Sequence, residues 1–458
     1  MEMDPKIIKK YDRPGPRYTS YPPATQFIEG FTEGEYLSAV DESNQMEPRG
    51  ISLYVHIPFC PRLCHFCGCN TQIGRDTAFI RRYFDALLKE IDQVVAHMDR
   101  ERPVTQIHWG GGTPNSVDLS LVEQVMDRFT QWFHLSNEPE IAMECSPAYL
   151  DTDDIDRLSE MGFNRISLGI QDFKEDVLRI INRKPSKLPV DELVDYIHQQ
   201  TSATVNLDFV YGLPGQTLES YLHTIRKAAE IKPDRLVTFS YAHVPWVKKS
   251  QRILEKIGIP GPELKMEMLL RGYDVLCDAG YDPIGMDHFA LPGDEMAEAF
   301  KMNSLHRNFQ GYCTRKHTGQ VYAFGASAIT QLHHAYIQNT KAVDQYIDSI
   351  ENSKLPVDKG YILNEKERYI RHIINQIMCN GQLDLDLEAS RMGFRLHELK
   401  KLLDYSEESF MELERDGLIF TKADKIKTTP LGMLLIRVIA RQLDPDYHNY
   451  EKRFSKTI

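Results

Sequence analysis

Six short apolar runs between residues 50 and 245 recur in the sequence, and stretches with helical periodicity separate them. Each run is bounded by Gly, Pro or polar residues, as is typical of strands that are buried on both faces. Strand and helix in regular alternation predict parallel βαβ units, in an α/β fold closed or partly closed as a barrel. The six runs are ISLYVHI (51–57), TQIHWG (105–110), EIAMEC (140–145), RISLGI (165–170), TVNLDFVYG (204–212) and RLVTFSYAH (235–243).

The segments on either side of this repeat differ from it. The first forty or so residues are rich in Pro, Gly and Tyr, which indicates an ordered arm without regular secondary structure. After about residue 345 helical patterns dominate, and residues 410–440 predict a helix, a short hairpin and a second helix. We therefore predict an N-terminal arm (1–48), a β/α barrel (49–345) and a mainly helical C-terminal domain (350–458).

Composition excludes several classes of function. The sequence has no run of about eighteen apolar residues, which a membrane-spanning helix needs. Its N-terminus lacks the apolar stretch of a secretory signal, so we expect a cytoplasmic protein with reduced cysteines. The net charge of −12 argues against nucleic acid as a partner, although a local basic patch suffices for a small anionic substrate.

Four of the eight cysteines lie within ten residues, at Cys60, Cys64, Cys67 and Cys69. The first three have the spacing C-x3-C-x2-C. Thiolates are the usual ligands of the irons in a [4Fe–4S] cluster, so three cysteines on one loop leave the fourth iron open. An open coordination position is typical of catalytic metal sites and not of structural ones. This spacing predicts a catalytic iron–sulfur cluster.

The cysteines allow two other interpretations. A disulfide framework is a poor fit, because the remaining cysteines are scattered singly and disulfides are rare in the cytosol. A structural zinc site remains an alternative, since zinc also takes four thiolates, but such sites usually pair C-x2-C with a distant second pair. The scattered cysteines are expected to be small buried side chains. They are Cys145, Cys277, Cys313 and Cys379.

Polar or small residues stand at the end of nearly every predicted strand. In a parallel α/β barrel the active site is built at these carboxyl ends, so the set predicts an active site. The triple glycine lets a ligand approach the backbone, but it lacks the spacing of a dinucleotide fingerprint. Taken alone, Arg183 reads as a surface residue. The strand ends carry Tyr54 and His56, GGGTP (110–114), Glu144, Gln171, Asp208, and Tyr241, Ala242 and His243.

These motifs resemble a known family. The cysteine motif with Phe66 before Cys67, followed by GGGTP, resembles the radical S-adenosylmethionine (SAM) superfamily. Further segments, from about Tyr11 to the C-terminus, are similar to the oxygen-independent coproporphyrinogen III oxidases. These segments are YDRPGPRYTSYP, YVHIPFCPRLCHFCGCN, HWGGGTPN, NRISLGIQDF, NLDFVYGLPGQT, YAHVP, GMDHFALPGDEMA and HRNFQGYCT.

The resemblance implies a fold, an activity and cofactors. It implies a partial (β/α)6 barrel with an N-terminal arm and a helical C-terminal domain. It further implies oxidative decarboxylation of two propionates of coproporphyrinogen III to vinyls, by a 5′-deoxyadenosyl radical, giving protoporphyrinogen IX in haem biosynthesis. Members bind one [4Fe–4S] cluster and two SAM molecules. They act as monomers and receive electrons from a donor such as flavodoxin or ferredoxin.

The resemblance also assigns roles to residues. Cys60, Cys64 and Cys67 are expected to bind the cluster, whereas Cys69 is expected to be needed for activity without binding iron. One neighbour of Glu144 departs from the family, since Cys145-Ser146-Pro147 stands where Val-Asp-Pro is common. The residues expected to contact the first SAM are Tyr54, Gly111, Glu144 and Ile329. Those expected to contact the second are Phe66, Gly112, Thr113, Gln171, Arg183, Asp208 and Ala242.

A reactive radical requires a closed cavity, so we expect the arm to cover the barrel mouth. Arg13 or Arg17 is expected to hold substrate carboxylates, because the guanidinium fork matches a carboxylate. In the alternative, these arginines only pin the arm.

Three other functions were considered. A haem chaperone of the same superfamily should lack the arm and the fourth cysteine. A haem-degrading radical methyltransferase should diverge in the arm and in GMDHFA and HRNFQGY. A non-catalytic zinc protein would share only the scaffold. The presence of the arm and of Cys69 favours the oxidase.

Overall fold

A computed structural model describes residues 4–314, 320–450 and 454–456. In this part of the chain, thirteen strands form one large sheet and three smaller sheets lie beside it. The strands are β1 (Ile28–Glu29), β2 (Ile51–Ile57), β3 (Phe59–Cys60), β4 (Gln72–Ile73), β5 (Val104–Gly111), β6 (Leu135–Cys145), β7 (Arg165–Gln171), β8 (Thr204–Tyr211), β9 (Arg235–Ser240), β10 (Asp282–Ile284), β11 (His288–Ala290), β12 (Leu305–Asn308), β13 (Gly311–Thr314), β14 (Gln320–Phe324), β15 (Ile329–Gln331), β16 (Ala335–Asn339), β17 (Val357–Ile362), β18 (Gln382–Asp384), β19 (Ile419–Lys422) and β20 (Lys425–Thr428).

Helices connect and cover these strands. The helices are α1 (Pro5–Tyr11), α2 (Glu33–Ser43), α3 (Thr77–Val95), α4 (Leu119–Trp132), α5 (Thr152–Glu160), α6 (Glu175–Ile180), α7 (Val190–Gln200), α8 (Leu218–Ile231), α9 (Arg252–Glu255), α10 (Pro262–Asp278), α11 (Glu295–Lys301), α12 (Val343–Glu351), α13 (Glu365–Asn380), α14 (Leu385–Arg391), α15 (Leu396–Leu402), α16 (Glu407–Arg415), α17 (Pro430–Leu434) and α18 (Ile436–Ala440). None of them is long and apolar enough to cross a membrane.

The six predicted strands are neighbours in the large sheet. They run β2-β5-β6-β7-β8-β9, and every pairing between them is parallel. Parallel pairing in sequence order requires a crossover between successive strands, and helices supply most of these crossovers. The predicted α/β fold class is confirmed. Because β9 ends at Ser240, however, Tyr241, Ala242 and His243 lie in the loop beyond it.

The sheet extends further than the sequence indicated. A seventh parallel strand, β14, pairs with β2, and β15, β16 and β17 continue the sheet in antiparallel order. Strands β14, β15 and β16 were missed because they are short and no helix separates them. The sheet runs on to Ile362, past the position where helices were expected to dominate. The division at residues 48, 345 and 350 stays a prediction.

The arm contains more regular structure than expected. Helix α1 begins after Asp4, whose side chain accepts the backbone N–H of Lys6 at 2.8 Å. Helix α2 begins with a capping box in which Thr32 and Glu35 bind each other's backbone N–H groups. Strand β1 pairs with β17, so the arm is tied to one edge of the sheet. The expectation of an arm without secondary structure was therefore wrong, because these capping signals were overlooked.

The end of the chain packs on the arm. The hydroxyl of Tyr18 donates to Asp444 at 2.9 Å, and that of Tyr21 donates to Asp446 at 3.0 Å. The buried Arg437 donates from Nε to the carbonyl of Pro16 at 3.0 Å. The predicted helix, hairpin and helix at residues 410–440 are present as α16, β19–β20 and α17. The arm is thus held by contacts at the edge of the sheet and at the C-terminus.

Candidate active site

The cysteine loop starts at the end of β3 and ends at β4. These two strands pair in parallel, which fixes both ends of the loop. Cys60, Cys64 and Cys67 are half-buried and line one small cavity of about 60 Å³. Cys69 is exposed and does not line this cavity. Cys69 thus lies outside the lining of this cavity, although its backbone N–H bonds to the sulfur of Cys67. Its expected role in activity without binding iron stays a prediction.

Each of the three cavity sulfurs has its own hydrogen-bond donor. Thr113 Oγ1 lies 3.3 Å from the sulfur of Cys60, and Arg183 Nη1 lies 3.8 Å from that of Cys64. The backbone N–H of Cys69 donates to the sulfur of Cys67 at 3.3 Å. Hydrogen bonds to ligating sulfurs are one means by which proteins set the potential of an iron–sulfur cluster.

The protonation of these thiols differs. Burial raises the pKa of Cys60 to about 11 and also raises that of Cys64. A hydrogen bond from the Cys69 side chain lowers the pKa of Cys67 to about 6, against the opposing effect of burial. Because the same bond raises the pKa of Cys69, the proton resides on Cys69 and not on Cys67.

The donor set suits an iron–sulfur cluster. No three His, Cys, Asp or Glu side chains within residues 4–314, 320–450 and 454–456 are arranged to hold a single metal ion. In a four-iron cluster each thiolate binds a different iron, so the cysteines need not converge on one point. Three thiols around one cavity are the arrangement that such a cluster requires.

Close contacts explain all three glycines at the end of β5, of which Gly110 and Gly111 belong to the strand and Gly112 follows it. A Cβ atom on Gly112 would lie 2.6 Å from the carbonyl oxygen of Phe59, next to the first cysteine. Gly111 has φ +114°, and its Cβ would lie 2.7 Å from the His56 ring. A Cβ on Gly110 would lie 2.8 Å from a carboxylate oxygen of Glu144. The three glycines thus let the end of β5 contact three strands closely: β3, which carries Cys60, β2 and β6.

Glu144 is held as a carboxylate facing a cavity. Burial opposes its charge, but His108 Nε2 lies 3.1 Å from one oxygen and the Gly111 N–H lies 3.4 Å from the other. These bonds lower the pKa of Glu144 below its ordinary value. Tyr54 stacks on His108, with ring centroids 5.9 Å apart. An ionised carboxylate at the edge of a cavity can accept hydrogen bonds from an ammonium group or a ribose.

The residues expected to contact the first SAM converge. Tyr54, Glu144 and Ile329 line one cavity of about 150 Å³, and Gly111 borders it through its bond to Glu144. Asn308 and Gln310, from the HRNFQGY segment, line the same cavity. His108 was not singled out from the sequence, although it stands two residues before the triple glycine.

The residues expected to contact the second SAM lie at neighbouring strand ends. Asp208 accepts from Ser167 at 3.0 Å and from Asn206 at 2.8 Å, and burial raises its pKa to about 6. Arg183 is half-buried and donates to the Gly169 carbonyl, which places it over the cysteine cavity. The reading of Arg183 as a surface residue was therefore wrong.

The other members of this set occupy two cavities. Phe66, Gly112 and Thr113 line the cysteine cavity, whereas Ala242 lines a larger one. Gln251 connects them, since its side-chain amide donates to the carbonyls of Phe66 at 2.9 Å and Ala242 at 3.3 Å. Gln171, at the end of β7, adopts φ +73°. Its side-chain amide nitrogen packs against Gly169, where a Cβ atom would lie only 2.7 Å from it.

Comparisons with known proteins agree with this geometry. Residues 54–228 match the family described as the Radical SAM superfamily. The oxygen-independent coproporphyrinogen III oxidase of Synechocystis is 38% identical, over 100% of this chain and 98% of its own. That of Escherichia coli K12 is 37% identical, over 97% and 95%. The chain belongs to the oxygen-independent coproporphyrinogen III oxidase family.

A solved structure in this family has the same fold. The coproporphyrinogen III oxidase HemN from Escherichia coli, described as a radical SAM enzyme, superposes with a TM-score of 0.88. It is 34% identical, and the match covers 97% of this chain and 99% of that one. The likeness to that enzyme therefore covers almost the whole chain and not only residues 54–228.

This family member has a large cavity beneath the arm. The cavity measures about 880 Å³, and Arg13, Arg17, Lys265 and Arg437 line it beside Ala242. The carboxylate in its lining is Asp12, which Lys456 contacts at 2.6 Å. A cavity rich in cations, within a chain of net charge −12, suits an anionic ligand.

Proposed function

We propose that this protein oxidises coproporphyrinogen III without oxygen. It converts two propionates to vinyls by oxidative decarboxylation and yields protoporphyrinogen IX in haem biosynthesis. The main support is 38% sequence identity, over the full length of this chain, with an oxidase of this name. The three thiols around one cavity, with Cys69 outside its lining, agree with this proposal. A [4Fe–4S] cluster and SAM are the cofactors, and when bound they supply the radical that starts the reaction.

The protein's own residues bind and orient these groups. Cys60, Cys64 and Cys67 hold the cluster, and the donors on their sulfurs stabilise the thiolate form. Glu144, kept ionised by His108, accepts a hydrogen bond from the first SAM. The residues around that SAM are Tyr54, Gly111, Glu144 and Ile329, and those around a second are Phe66, Gly112, Thr113, Gln171, Arg183, Asp208 and Ala242.

The substrate enters the 880 Å³ cavity, where Arg13 and Arg17 hold its carboxylates. Burial lowers the pKa of Arg17, and the surrounding positive charge of Arg307 lowers it further, while Asp287 opposes both effects. An anionic ligand relieves this repulsion. In the alternative, the two arginines only fix the arm.

Arg17→Ala tests the substrate role. We expect the KM for coproporphyrinogen III to rise by roughly tenfold, as loss of a charge-assisted hydrogen bond predicts. Lys9→Ala, an exposed cation of α1, serves as the control and should leave the KM unchanged. Unchanged substrate affinity and turnover in Arg17→Ala would contradict the substrate role. Arg17 would then only fix the arm in place.

The remaining properties are proposed from the family and from the cysteine content. The enzyme acts as a monomer in the cytoplasm, where thiols stay reduced. Its electrons come from a donor such as flavodoxin or ferredoxin.

The decisive assay is anaerobic. Reconstituted protein is incubated with coproporphyrinogen III, SAM and a reductant, and protoporphyrinogen IX is measured. Product formation supports the proposal. Haem binding without vinyl product identifies a chaperone, and opening of the haem ring identifies a methyltransferase. Iron and sulfide analysis of the same sample excludes or identifies a zinc protein.

A further inference from the structure

A second cationic cavity lies on the other side of the arm. It measures about 490 Å³ and is bounded by arm residues 18–21, the end of β15 and helix α13. It shares none of its lining residues with the 880 Å³ cavity. The lining residues that matter here are Arg307, Gln331, His333, Arg368 and Arg371.

Three guanidiniums face this cavity without a direct ion pair among the described residues, although the charge of Arg307 acts on the nearby Asp287. Among the described residues, no Asp or Glu oxygen lies within the 4.0 Å ion-pair distance of Arg307, Arg368 or Arg371. Glu47 also lines the cavity, but it is exposed and accepts the backbone N–H of Arg49 at 2.9 Å. Arg371 is held rigidly, since it donates to the backbone carbonyls of Leu332 and His333.

Several buried donors in this lining have no acceptor. Arg307 is only 5% exposed, yet its Nε and Nη1 atoms have no hydrogen-bond partner within the described chain. The same holds for Nε of Arg368 and Nδ1 of His333. A buried charged donor without an acceptor is costly, so sites of this kind are built for a ligand that accepts.

The cavity adjoins the predicted site of the first SAM. Gln331 lines both the 490 Å³ cavity and the 150 Å³ cavity of Tyr54 and Glu144. Arg307 immediately precedes Asn308, which lines the 150 Å³ cavity. A ligand whose carboxylate sits among these arginines therefore lies beside the place where the chemistry starts.

We propose that the 490 Å³ cavity binds carboxylate groups of the porphyrinogen, through Arg307, Arg368 and Arg371. This rests on the proposed function. The propionates that do not react need cationic partners at a distance from the propionate that does. The two cavities provide such cations, on either side of arm residues 12–21. The bidentate geometry of arginine suits a propionate.

The test measures binding of coproporphyrin III, the stable oxidised form with the same carboxylates, by fluorescence titration of the holoprotein. Arg368→Gln is the main variant, because Arg368 makes no side-chain hydrogen bond to the described chain that it would break. We expect its Kd to rise roughly tenfold, with partial recovery in Arg368→Lys. Lys366→Gln, an exposed cation of the same helix, is the matched control and should bind as the wild type does.

Two further binding measurements identify which ligand supplies the carboxylate. Coproporphyrin III tetramethyl ester, which lacks the charges, should bind all variants equally weakly. Citrate should compete with coproporphyrin III in the wild type and much less in Arg368→Gln. If citrate binds in an Arg368-dependent way without competing, the cavity takes a free anion and the porphyrinogen assignment is wrong.

Equal Kd values for wild type, Arg368→Gln and an Arg368→Gln/His333→Gln double variant would overturn the proposed site. This outcome is distinct from failure of the proposed function, because porphyrin binding requires no turnover. A protein that forms no protoporphyrinogen IX but shows the Arg368-dependent Kd would contradict the oxidase function and support the carboxylate site.

Discussion

Glu90 is a buried carboxyl and Glu144 a half-buried one that faces a cavity, and their surroundings shift their pKa values in opposite directions. At Glu144, His108 and the Gly111 N–H outweigh burial and keep the charge. At Glu90, which is 1% exposed, burial outweighs three donors and raises the pKa to about 7. Those donors are the Gly325 N–H, Asn339 and Tyr346. The Glu144 carboxyl faces a cavity, whereas the Glu90 carboxyl joins α3 to the end of the sheet.

The raised pKa of Glu90 predicts a pH dependence of stability. Between its ordinary pKa of 4.5 and about 7, the unfolded chain releases a proton that the folded chain keeps. The free energy of unfolding therefore falls as pH rises through this window, by about 3 kcal/mol. Glu90→Gln should be less stable overall but should lose this dependence.

Thermal midpoints between pH 4.5 and 8 check this prediction. Glu123→Gln, on the exposed face of α4, is the control and should follow the wild type. Parallel curves for wild type and Glu90→Gln would show that Glu90 is not the titrating group.

At the scale of elements, the end of β5 and the cysteine loop form one unit. The Gly112 N–H donates to the Ile57 carbonyl at 2.7 Å, and the Thr113 N–H donates to the Phe59 carbonyl at 2.9 Å. These bonds place Thr113 against Cys60. The glycine run therefore positions the cysteines proposed as cluster ligands as well as the cavity of Tyr54 and Glu144.

Gly112→Ala should disturb this unit. Its Cβ would press on backbone atoms of Pro58 and Phe59, which cannot move aside as a side chain can. We expect a loss of stability of about 1–3 kcal/mol and poor cluster incorporation. The control is Gly68→Ala in the same loop, where a Cβ would meet nothing within 4 Å.

Iron content and the thermal midpoint of both variants measure the effect. If Gly112→Ala takes up iron as fully as Gly68→Ala, the contact between the glycine run and the cysteine strand does not determine cluster binding.

The sequence was informative wherever a periodic pattern was long. The six apolar runs and the stretches of helical periodicity between them were recognised because burial on a strand or helix face imposes a repeat. Strands β14 to β16 were missed, since three to five residues cannot show a period. Arg183 and His108 acquire their roles only through contacts with Cys64 and Glu144, which sequence separation conceals.

At the scale of the whole molecule, the arm joins the sheet to the C-terminal helices. Arg437 is central to this contact, since it donates to the carbonyls of Gly15 at 2.5 Å and Pro16 at 3.0 Å. Burial, together with Arg17 and Arg307, lowers its pKa to about 9. The same guanidinium thus holds the arm and adds positive charge to the cavity beneath it.

Arg437→Gln should loosen the arm. Loss of these charge-assisted bonds costs about 1.5–3 kcal/mol locally, so trypsin should cleave after Arg17, which precedes Tyr18, roughly tenfold faster. The control is Arg415→Gln, an exposed cation of α16. Equal cleavage rates in the two variants would mean that Arg437 does not hold the arm.

The central claim is that three cysteines hold a cluster with one open iron, while Cys69 serves activity alone. Iron content and anaerobic protoporphyrinogen IX formation, measured on the same samples of Cys60→Ser and Cys69→Ser, test it directly. We predict that Cys60→Ser loses both iron and activity. Cys69→Ser should keep about four irons per chain and lose the activity. Loss of iron in Cys69→Ser, or full turnover by it, would contradict the claim.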